Sequence, residues 1–272
     1  MAVIPLHIVD AFSEKPFAGN PAAIIPNATI LGDDEMTKIS EELGMEVGFV
    51  LPPEARDADV RLRFFRGRSE CALSGHVLLA AFTSMAERGI FRPTVDGRLL
   101  HAETAAGVFE VRLARTNEGD TRITCEMPLP EFSGEVAATE VAAALGADPG
   151  AVEIDGHGPQ RVTCGTAQLL VPVANRDLVR GNLRSLDRMT ALMIDHDVAG
   201  ITLFCPETDD PACAFHCRFL RPDIRCYEDV ASGTCLAAIG AYAVRHGLVP
   251  PCDLVTIATE QGLILGRPTR AE

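Results

Sequence analysis

One helix start occurs twice in this chain. Residues 72–89 read ALSGHVLLAAFTSMAERG and residues 230–247 read VASGTCLAAIGAYAVRHG, and the two segments align without a gap. Ser74 aligns with Ser232, an offset of 158 residues in a chain of 272. Solenoid repeats recur about every 20–50 residues, so one copy at this distance predicts two similar domains instead.

A strand is predicted before each copy. Arg63-Phe64-Phe65-Arg66 resembles Arg218-Phe219-Leu220-Arg221 at an offset of 155, and three extra residues in the second linker account for the difference. The helices that follow carry no charge over Val77–Ala81 and Cys235–Ala243, which is typical of helices buried at the centre of a domain. We therefore predict an α+β fold of two pseudo-symmetric domains, each a sheet wrapped around a central helix.

Apolar runs and turn residues predict the remaining elements. A helix over DEMTKISEELG is capped by Asp33 or Asp34 and ends at Gly44, and a helix over Ala138–Leu145 ends at Gly146. Strands are predicted at Ile4–Val9, Val47–Leu51, Val60–Phe65, Leu169–Val173 and Ile201–Phe204.

The sequence RTNEGDT, Arg115–Thr121, is typical of a turn and marks the predicted domain boundary. The N-terminal domain is predicted over residues 1–117 and the C-terminal domain over residues 118–259. The last segment, 260–272, is a candidate to join the N-terminal domain.

Charge and composition argue against several classes of function. The chain has 38 acidic and 24 basic residues, a net charge of −14, whereas nucleic-acid binding needs clustered Lys and Arg. No uncharged apolar run is long enough to span a membrane, and MAVIPLHIVDAF lacks the pattern of a secretory signal. Nine cysteines, an odd number, favour the reducing cytoplasm.

We also expect no cofactor. The chain has no Gly-rich dinucleotide fingerprint. The most metal-like cluster, Cys213–Cys217, alternates as a strand does, which points His216 away from the two cysteines and predicts no metal site.

The two Ser-Gly helix starts are candidate anion sites. The first N–H groups of a helix have no intrahelical partners and carry the positive end of the helix dipole. Ser74 and Ser232 would cap the helices, and Gly75 and Gly233 would let a ligand approach the backbone. If both starts face one cleft, a carboxylate is the natural guest; the alternative is two helices that are merely capped.

Five motifs occur in order along the chain, at Val9–Phe12, Phe17–Pro21, Met45–Val50, Phe65–His76 and Glu228–Thr234. Together they resemble the phenazine-biosynthesis isomerase (PhzF-like) family, built on the diaminopimelate epimerase fold, over nearly the whole chain. The resemblance implies two domains, each a mixed β-barrel around a central helix. It also implies a cofactor-independent isomerase, an active site between the two helix starts, and a homodimer.

The same resemblance implies the catalytic residues, which are Glu46, His76 and Asp229. We expect Glu46 to be a general acid/base whose pKa is raised by an apolar pocket, the alternative being a solvated loop carboxylate. His76 would hydrogen-bond the substrate or hold a proton, and Asp229 would orient the substrate or relay protons. A structural histidine and a plain loop acid are the alternatives.

The predicted substrate-binding residues are Asn20, Ser74, Gly75, Ser232, Gly233, Thr234, Arg66 and Arg68. The two arginines lie where the family tends to have Phe-Thr-Pro, and we expect one or both to bind a second anionic group through bidentate contacts. Simple surface exposure is the alternative, as it is for Arg221 and Arg225.

Ser74 and Ser232 occupy the positions at which amino-acid racemases of this fold carry a pair of cysteine bases. A serine hydroxyl is too weak an acid to replace a thiolate, and Cys71 and Cys235 lie at other positions, where we expect them to pack. We therefore predict carboxylate-based proton transfer on a small anionic or amino-acid-like substrate. An amino-acid racemase or epimerase and a non-catalytic small-molecule binding protein remain the alternatives.

Overall fold

The computed structural model describes residues 3–181, 186–221, 228–250 and 252–272. The chain forms two compact units. The first comprises Met1–Ala11 and Pro21–Met127, and the second comprises Phe12–Asn20 and Pro128–Glu272. Each unit is built on a mixed sheet and a long apolar helix, so the predicted α+β class is confirmed.

The first sheet is formed by strands β1 (His7–Ala11), β2 (Asn20–Ile25), β3 (Glu46–Leu51), β4 (Val60–Arg66), β5 (Ser69–Cys71), β6 (Arg98–Thr104), β7 (Gly107–Arg115) and β8 (Thr121–Cys125). Helices α1 (Asp33–Leu43) and α2 (Gly75–Glu87) accompany it. The strand order is β1-β2-β3-β4-β6-β7-β8, with β5 paired to β4. The β2–β3 and β4–β6 pairs are parallel, and β3–β4 is antiparallel.

The first sheet curls around α2. The helix contacts β1 and β8, the two ends of the strand order, and also contacts β3. Its buried side chains, which include Val77, Leu78, Phe82 and Met85, pack on apolar residues of the sheet such as Leu62. The predicted wrapping of a sheet around its central helix is confirmed in this unit.

The second sheet is formed by β9 (Glu131–Glu135), β10 (Gln160–Thr163), β11 (Ala167–Pro172), β12 (Ile201–Cys205), β13 (Phe215–Leu220), β14 (Glu228–Asp229), β15 (Thr259–Gln261) and β16 (Thr269–Ala271). Its helices are α3 (Ala138–Leu145), α4 (Arg176–Arg180), α5 (Leu186–Asp195) and α6 (Gly233–Arg245), with a 3-10 turn at Pro149–Ala151. The strand order is β16-β15-β13-β12-β11-β10-β9, with β14 paired to β13.

Helix α6 is buried against the second sheet. The ring of Tyr242 packs edge-on against Phe204, with centroids 5.5 Å apart, and its hydroxyl donates to the carbonyl of Gly158 at 2.7 Å. Near the start of the helix, the side-chain amide of Gln168 donates to the carbonyl of Thr234 at 2.9 Å. Sheet contacts thus hold α6 along its length.

The internal repeat is present in the backbone pairing of both units. Helices α2 and α6 have the same length, 13 residues, and begin at equivalent glycines. Phe64 pairs with Cys71 in the β4–β5 hairpin, and the equivalent Phe219 pairs with Asp229 in the β13–β14 hairpin. The parallel pairs β2–β3 and β4–β6 also recur as β11–β12 and β13–β15. The two units therefore share the strand order of β1–β7 and β10–β16 and differ in the end of the sheet that carries the eighth strand, β8 or β9.

The turn at residues 115–121 lies inside the first unit. Arg115 pairs with Thr121, so β7 and β8 form a hairpin whose backbone hydrogen bonds hold it in the first sheet. The units divide after Met127 instead of after residue 117. The last segment pairs as β15 and β16 within the second sheet, so the structure groups 260–272 with the second unit.

Helix ends follow the predicted glycines, but the first cap differs. Gly44 and Gly146 end α1 and α3 in the left-handed conformation, with φ of 65° and 70°. The N-cap of α1 is Gly32, whose N–H donates to the side chain of Glu35 at 2.9 Å, so the expectation of an aspartate cap at Asp33 or Asp34 is wrong. Both aspartates lie in the first turn instead.

Gly48 lets β3 approach α2 closely. A Cβ atom on Gly48 would lie 2.7 Å from Cγ1 of Val77 and 3.1 Å from Cδ1 of Ile24. The absence of a side chain at this position therefore allows the strand that begins at Glu46 to pack against the first turn of α2. Among the described residues, no helix combines the length and apolarity needed to cross a membrane.

We expect Gly48→Ala to lower the free energy of unfolding by about 1–3 kcal/mol, because the added methyl group overpacks the strand–helix contact. Urea denaturation would measure the change. Gly134→Ala is the matched control on a strand, since a Cβ there meets no atom within 4 Å. Equal stability of the two variants would contradict the close approach.

Candidate active site

Glu46 lies at the start of β3, and both of its carboxylate oxygens have partners. Its cross-strand neighbour is Arg66, at the end of β4. Arg66 Nε donates to Glu46 Oε1 at 2.7 Å, and a terminal nitrogen of the same guanidinium donates to the same oxygen. Ser74 Oγ donates to Glu46 Oε2 at 2.7 Å. The Glu46 side chain is only 12% exposed, so these contacts replace most of its hydration.

The contacts of Ser74 extend the site to His76. Ser74 Oγ lies 3.3 Å from His76 Nδ1, and both residues are buried. Since the Ser74 hydroxyl hydrogen points to Glu46, its oxygen can accept a hydrogen from Nδ1, which leaves Nε2 as the second proton site of the ring. Glu46, Ser74 and His76 therefore form a carboxylate–hydroxyl–imidazole chain along which a proton could move.

The environment of Glu46 lowers its pKa, so the expectation of a raised pKa is wrong. Burial disfavours the charged form and acts to raise the pKa. Electrostatic attraction to the His76 and Arg66 side chains, with the hydrogen bonds from Ser74 and Arg66, outweighs burial and holds the pKa of Glu46 below its ordinary value. The pocket that was expected to be apolar is cationic.

Ser74 and Ser232 occupy the predicted N-cap positions, with extended backbone at φ of −137° and −133°. Neither hydroxyl caps its helix by accepting a hydrogen bond from a backbone N–H of the first turn. The hydroxyl of Ser232 instead lies 3.0 Å from Oγ1 of Thr234, much as Ser74 lies beside His76. No acidic side chain occupies the first turn of α2 or α6 itself, and the carboxylate beside the start of α2 is that of Glu46.

In the second unit, Asn20 contacts Asp229. The Asn20 side-chain amide donates to Oδ1 of Asp229 at 2.8 Å and to the carbonyl of Ala231 at 2.7 Å. Gln261 donates to the backbone carbonyl of Asp229 at 2.7 Å. Asn20 therefore orients Asp229 just before α6. The role of Asn20 in binding a substrate stays a prediction. The same holds for the roles of Asp229, Thr234, Gly75 and Gly233.

Glu228, a buried carboxylate beside Asp229, is not among the residues predicted from the sequence to act at the site. It pairs with Nε of Arg218 at 2.7 Å, and burial raises its pKa, helped by Asp229 and opposed by Arg218. The internal repeat is the sequence signal that points to this pair, because the equivalent residues of the first unit, Glu70 and Arg63, also pair at 2.7 Å. The recurrence in both hairpins indicates a structural ion pair.

The second unit has no counterpart of Glu46. In the first unit Val47 pairs with Phe65, and in the second unit Ile201 pairs with Leu220, the equivalent of Phe65. Ile201 therefore corresponds to Val47. The residue before it, Gly200, corresponds to Glu46. A Cβ at Gly200 would lie 2.6 Å from the carbonyl oxygen of Leu220. The repeat thus supplies a carboxylate beside one helix start and leaves no room for one at the equivalent position of the other unit.

The arginines differ in their surroundings. Arg66 contacts Glu46, whereas Arg68 is 82% exposed and pairs with Glu41. Arg221 lies over the ring of Phe219 at 5.8 Å. Arg225 lies outside the described residues.

The cysteines near the helix starts pack. Cys71 is half-buried against the core around α2, and Cys235 is buried with its sulfur 3.4 Å from Oγ1 of Thr202. His216 lies on β13 and contacts the carboxylate of Glu260 at 2.7 Å. In the part of the chain that the structure describes, no three His, Cys, Asp or Glu side chains are grouped as a metal site requires.

Solved structures share this fold. A PhzF-family phenazine biosynthesis protein of Bacillus anthracis matches with a TM-score of 0.85 at 27% identity, covering 99% of this chain and 89% of that chain. A hydroxyproline epimerase of Agrobacterium vitis matches with a TM-score of 0.57 at 16% identity, covering 92% of this chain and 78% of that chain, which shows the fold alone. The chain thus has the predicted epimerase-like fold.

The chain belongs to the phenazine biosynthesis-like (PhzC-PhzF) family, whose sequence profile matches residues 9–272. An uncharacterized isomerase of Mesorhizobium japonicum is 27% identical over 97% of this chain and 87% of its own length. The trans-2,3-dihydro-3-hydroxyanthranilate isomerase of Pseudomonas aeruginosa is 26% identical over the same shares. The chain is therefore an isomerase of this family, as the resemblance predicted.

The lowered pKa of Glu46 predicts a pH-dependent contribution to stability. The ionised group stabilises the fold above its unfolded-state pKa of about 4.5, and this contribution is lost as pH falls through the lower folded-state pKa. We expect Glu46→Gln to lower the unfolding free energy at neutral pH by about 1–3 kcal/mol, because charged partners lose their carboxylate. Urea denaturation at several pH values should show the difference shrinking below about 4.5.

Glu54→Gln provides the control, because Glu54 also pairs with an arginine, Arg61, but is 71% exposed. Its effect should stay within about 1 kcal/mol at every pH. A Glu46→Gln effect that is equally small, or that grows in acid, would contradict the lowered pKa.

Proposed function

We propose that this isomerase moves a proton on a small carboxylated metabolite, with Glu46 as the general acid/base. The hydrogen-bonded chain from Glu46 through Ser74 to His76 is the observation that carries the proposal. The proposal includes the expectations of no metal and no nucleotide cofactor, a small anionic or amino-acid-like substrate, and a homodimer in the cytoplasm.

In the proposed reaction, Glu46 removes a proton from a carbon next to an activating group and returns it elsewhere on the substrate. An ionised, largely buried carboxylate can accept a proton, and its protonated form can then donate it. Ser74 orients the carboxylate through Oε2 and lies between it and the imidazole of His76, which could hold the proton during transfer. The backbone N–H groups around Gly75 would stabilise the enolate-like charge that develops on the substrate.

The one-sided placement of the carboxylate favours an isomerase over a racemase. A two-base racemase needs two groups that exchange protons with opposite faces of one carbon. The equivalent of Glu46 in the second unit is Gly200, and the helix starts carry Ser74 and Ser232. A single base that both removes and returns the proton fits this arrangement. The Pseudomonas aeruginosa relative, named for an isomerase of a dihydroanthranilate, a carboxylate, supports the proposed substrate class.

Glu46→Gln should fold but lose proton exchange by about 100-fold or more, because an amide cannot cycle a proton at neutral pH. The wild type and the variant would be incubated in deuterated water with a panel of small carboxylic and amino acids, and exchange would be followed by NMR. Glu54→Gln is the control. Exchange by Glu46→Gln within about threefold of wild type, under about 1 kcal/mol of barrier, would remove Glu46 as the base.

The same panel separates the alternatives. Deuterium incorporation with a moved double bond supports the isomerase, and incorporation with loss of optical activity supports a racemase. Saturable binding without exchange supports the non-catalytic binding protein.

Alkylation of accessible thiols should leave activity largely intact. Among the cysteines that the structure describes, Cys252 is exposed and should react first, whereas Cys235 is buried and Cys71 is packed against the core. Iodoacetamide treatment, with the modified positions mapped by mass spectrometry, would measure this. Rapid inactivation that substrate prevents, mapped to Cys71 or Cys235, would show that a thiol carries the reaction.

A further inference from the structure

The partners of Glu46 oppose its use as a base. Oε1 accepts two hydrogen bonds from the Arg66 guanidinium, and Oε2 accepts one from Ser74. A carboxylate with a lowered pKa is a weaker base, and these hydrogen bonds occupy lone pairs that would receive a substrate proton. These partners fill three of the four lone-pair sites of the carboxylate, so the state seen here is a weakened base, and release of one partner would make it more basic.

Arg66 is the partner that can move. Ser74 is buried, its side chain is short, and its backbone is fixed at the start of α2. Arg66 ends its strand, is followed by Gly67 in a left-handed turn conformation (φ 54°), and has a side chain that is 25% exposed. Its long side chain can swing by rotamer changes without moving β4.

The guanidinium of Arg66 matches a carboxylate in shape as well as in charge. Its N–H groups form a planar fork that suits two parallel hydrogen bonds to a carboxylate, and it keeps its charge at any working pH. A substrate carboxylate is chemically equivalent to the carboxylate that Arg66 already binds. Exchange of one for the other conserves an ion pair and leaves Oε1 of Glu46 open.

We propose that Arg66 binds the carboxylate of the substrate by exchanging it for Glu46, so that the arrival of an anionic substrate releases the base. This inference rests on the proposed function, to which it adds a requirement for an anionic group within reach of Arg66. A neutral analogue of the substrate would leave Glu46 paired with Arg66 and weakly basic.

The neighbouring arginines lack this arrangement. Arg63, on the same strand, is held by Glu70 and Asp33 together. Arg61 also lies on β4 and is 29% exposed, but it pairs with the exposed Glu54. Among the described residues, the charged or titratable groups that face Glu46 come from two elements, Arg66 from β4 and His76 from α2. Arg61 is therefore a matched control for Arg66.

The test measures the protonation of Glu46 directly, without turnover. Carbon-13 NMR of labelled glutamate carboxyls, with the Glu46 signal assigned by Glu46→Gln, would follow its titration in the whole protein. The probes are benzoate and its uncharged isostere benzamide, at constant ionic strength. The variants are Arg66→Gln and Arg61→Gln.

In the free wild type, we expect Glu46 to titrate below its ordinary pKa range. Benzoate should raise this pKa, because it draws the guanidinium away, and benzamide should not. Arg66→Gln should raise the pKa without any ligand, show no further rise with benzoate, and bind benzoate at least about tenfold more weakly. Arg61→Gln should behave as wild type.

Any of three results would overturn the exchange: no rise of the Glu46 pKa with benzoate in the wild type, an equal rise with benzamide, or an equal benzoate response in Arg66→Gln. If Arg66→Gln does not fold, Arg66→Lys provides the comparison. Lysine keeps the charge but lacks the planar fork, so Arg66→Lys should bind benzoate more weakly than both wild type and Arg61→Gln. Unchanged affinity would count against the exchange.

The titration and the deuterium-exchange experiment test different claims, so the exchange at Arg66 can fail while the proposed function stands. Loss of deuterium exchange in Glu46→Gln with no benzoate effect would keep Glu46 as the base and reject the role of Arg66. Retention of deuterium exchange in Glu46→Gln would reject the proposed function, whatever the titration of Glu46 shows.

Discussion

The close packing of α2 on β3 is the constraint on which the first unit depends. The helix is apolar on nearly every side, so it is stable only when the sheet surrounds it, and the sheet reaches it with both end strands. Gly48 brings the strand against Val77 in the first turn of the helix. This packing holds Glu46, two residues earlier on the strand, within hydrogen-bond distance of Ser74.

Burial of the Glu46 carboxylate costs free energy unless neighbouring groups stabilise its charge, and those same groups set how readily it can accept a proton. An isolated carboxylate with so little exposure would favour its neutral form, but Arg66, Ser74 and His76 keep Glu46 ionised. The result is a stable anion in the free protein, which is a poor starting point for accepting a proton. A substrate that competes for the guanidinium would reverse this balance. The ion pair between Arg66 and Glu46 therefore both stabilises the free protein and limits the basicity of Glu46.

The repeat supplies two similar scaffolds, and only the first carries a carboxylate at the position of Glu46. Both units have a hairpin closed by an arginine–glutamate pair, a serine at the helix start and a buried helix of the same length. The side chains that could move a proton differ, since Glu46 is matched by Gly200 and His76 by Thr234. The features that both units share therefore stabilise the fold, whereas the side chains that differ are those that could take part in proton transfer.

The sequence by itself determined the repeat, the helices that begin at Gly75 and Gly233, and the family, because apolar runs and short motifs are local signals. Only the tertiary structure decided that Arg66 contacts Glu46 and that the pKa of Glu46 is lowered. Residues 46 and 66 become neighbours through the register of two strands, and neither sequence position encodes that register alone. For the same reason, the 115–121 turn could be recognised as a turn, but its place inside the first sheet depended on strand pairing.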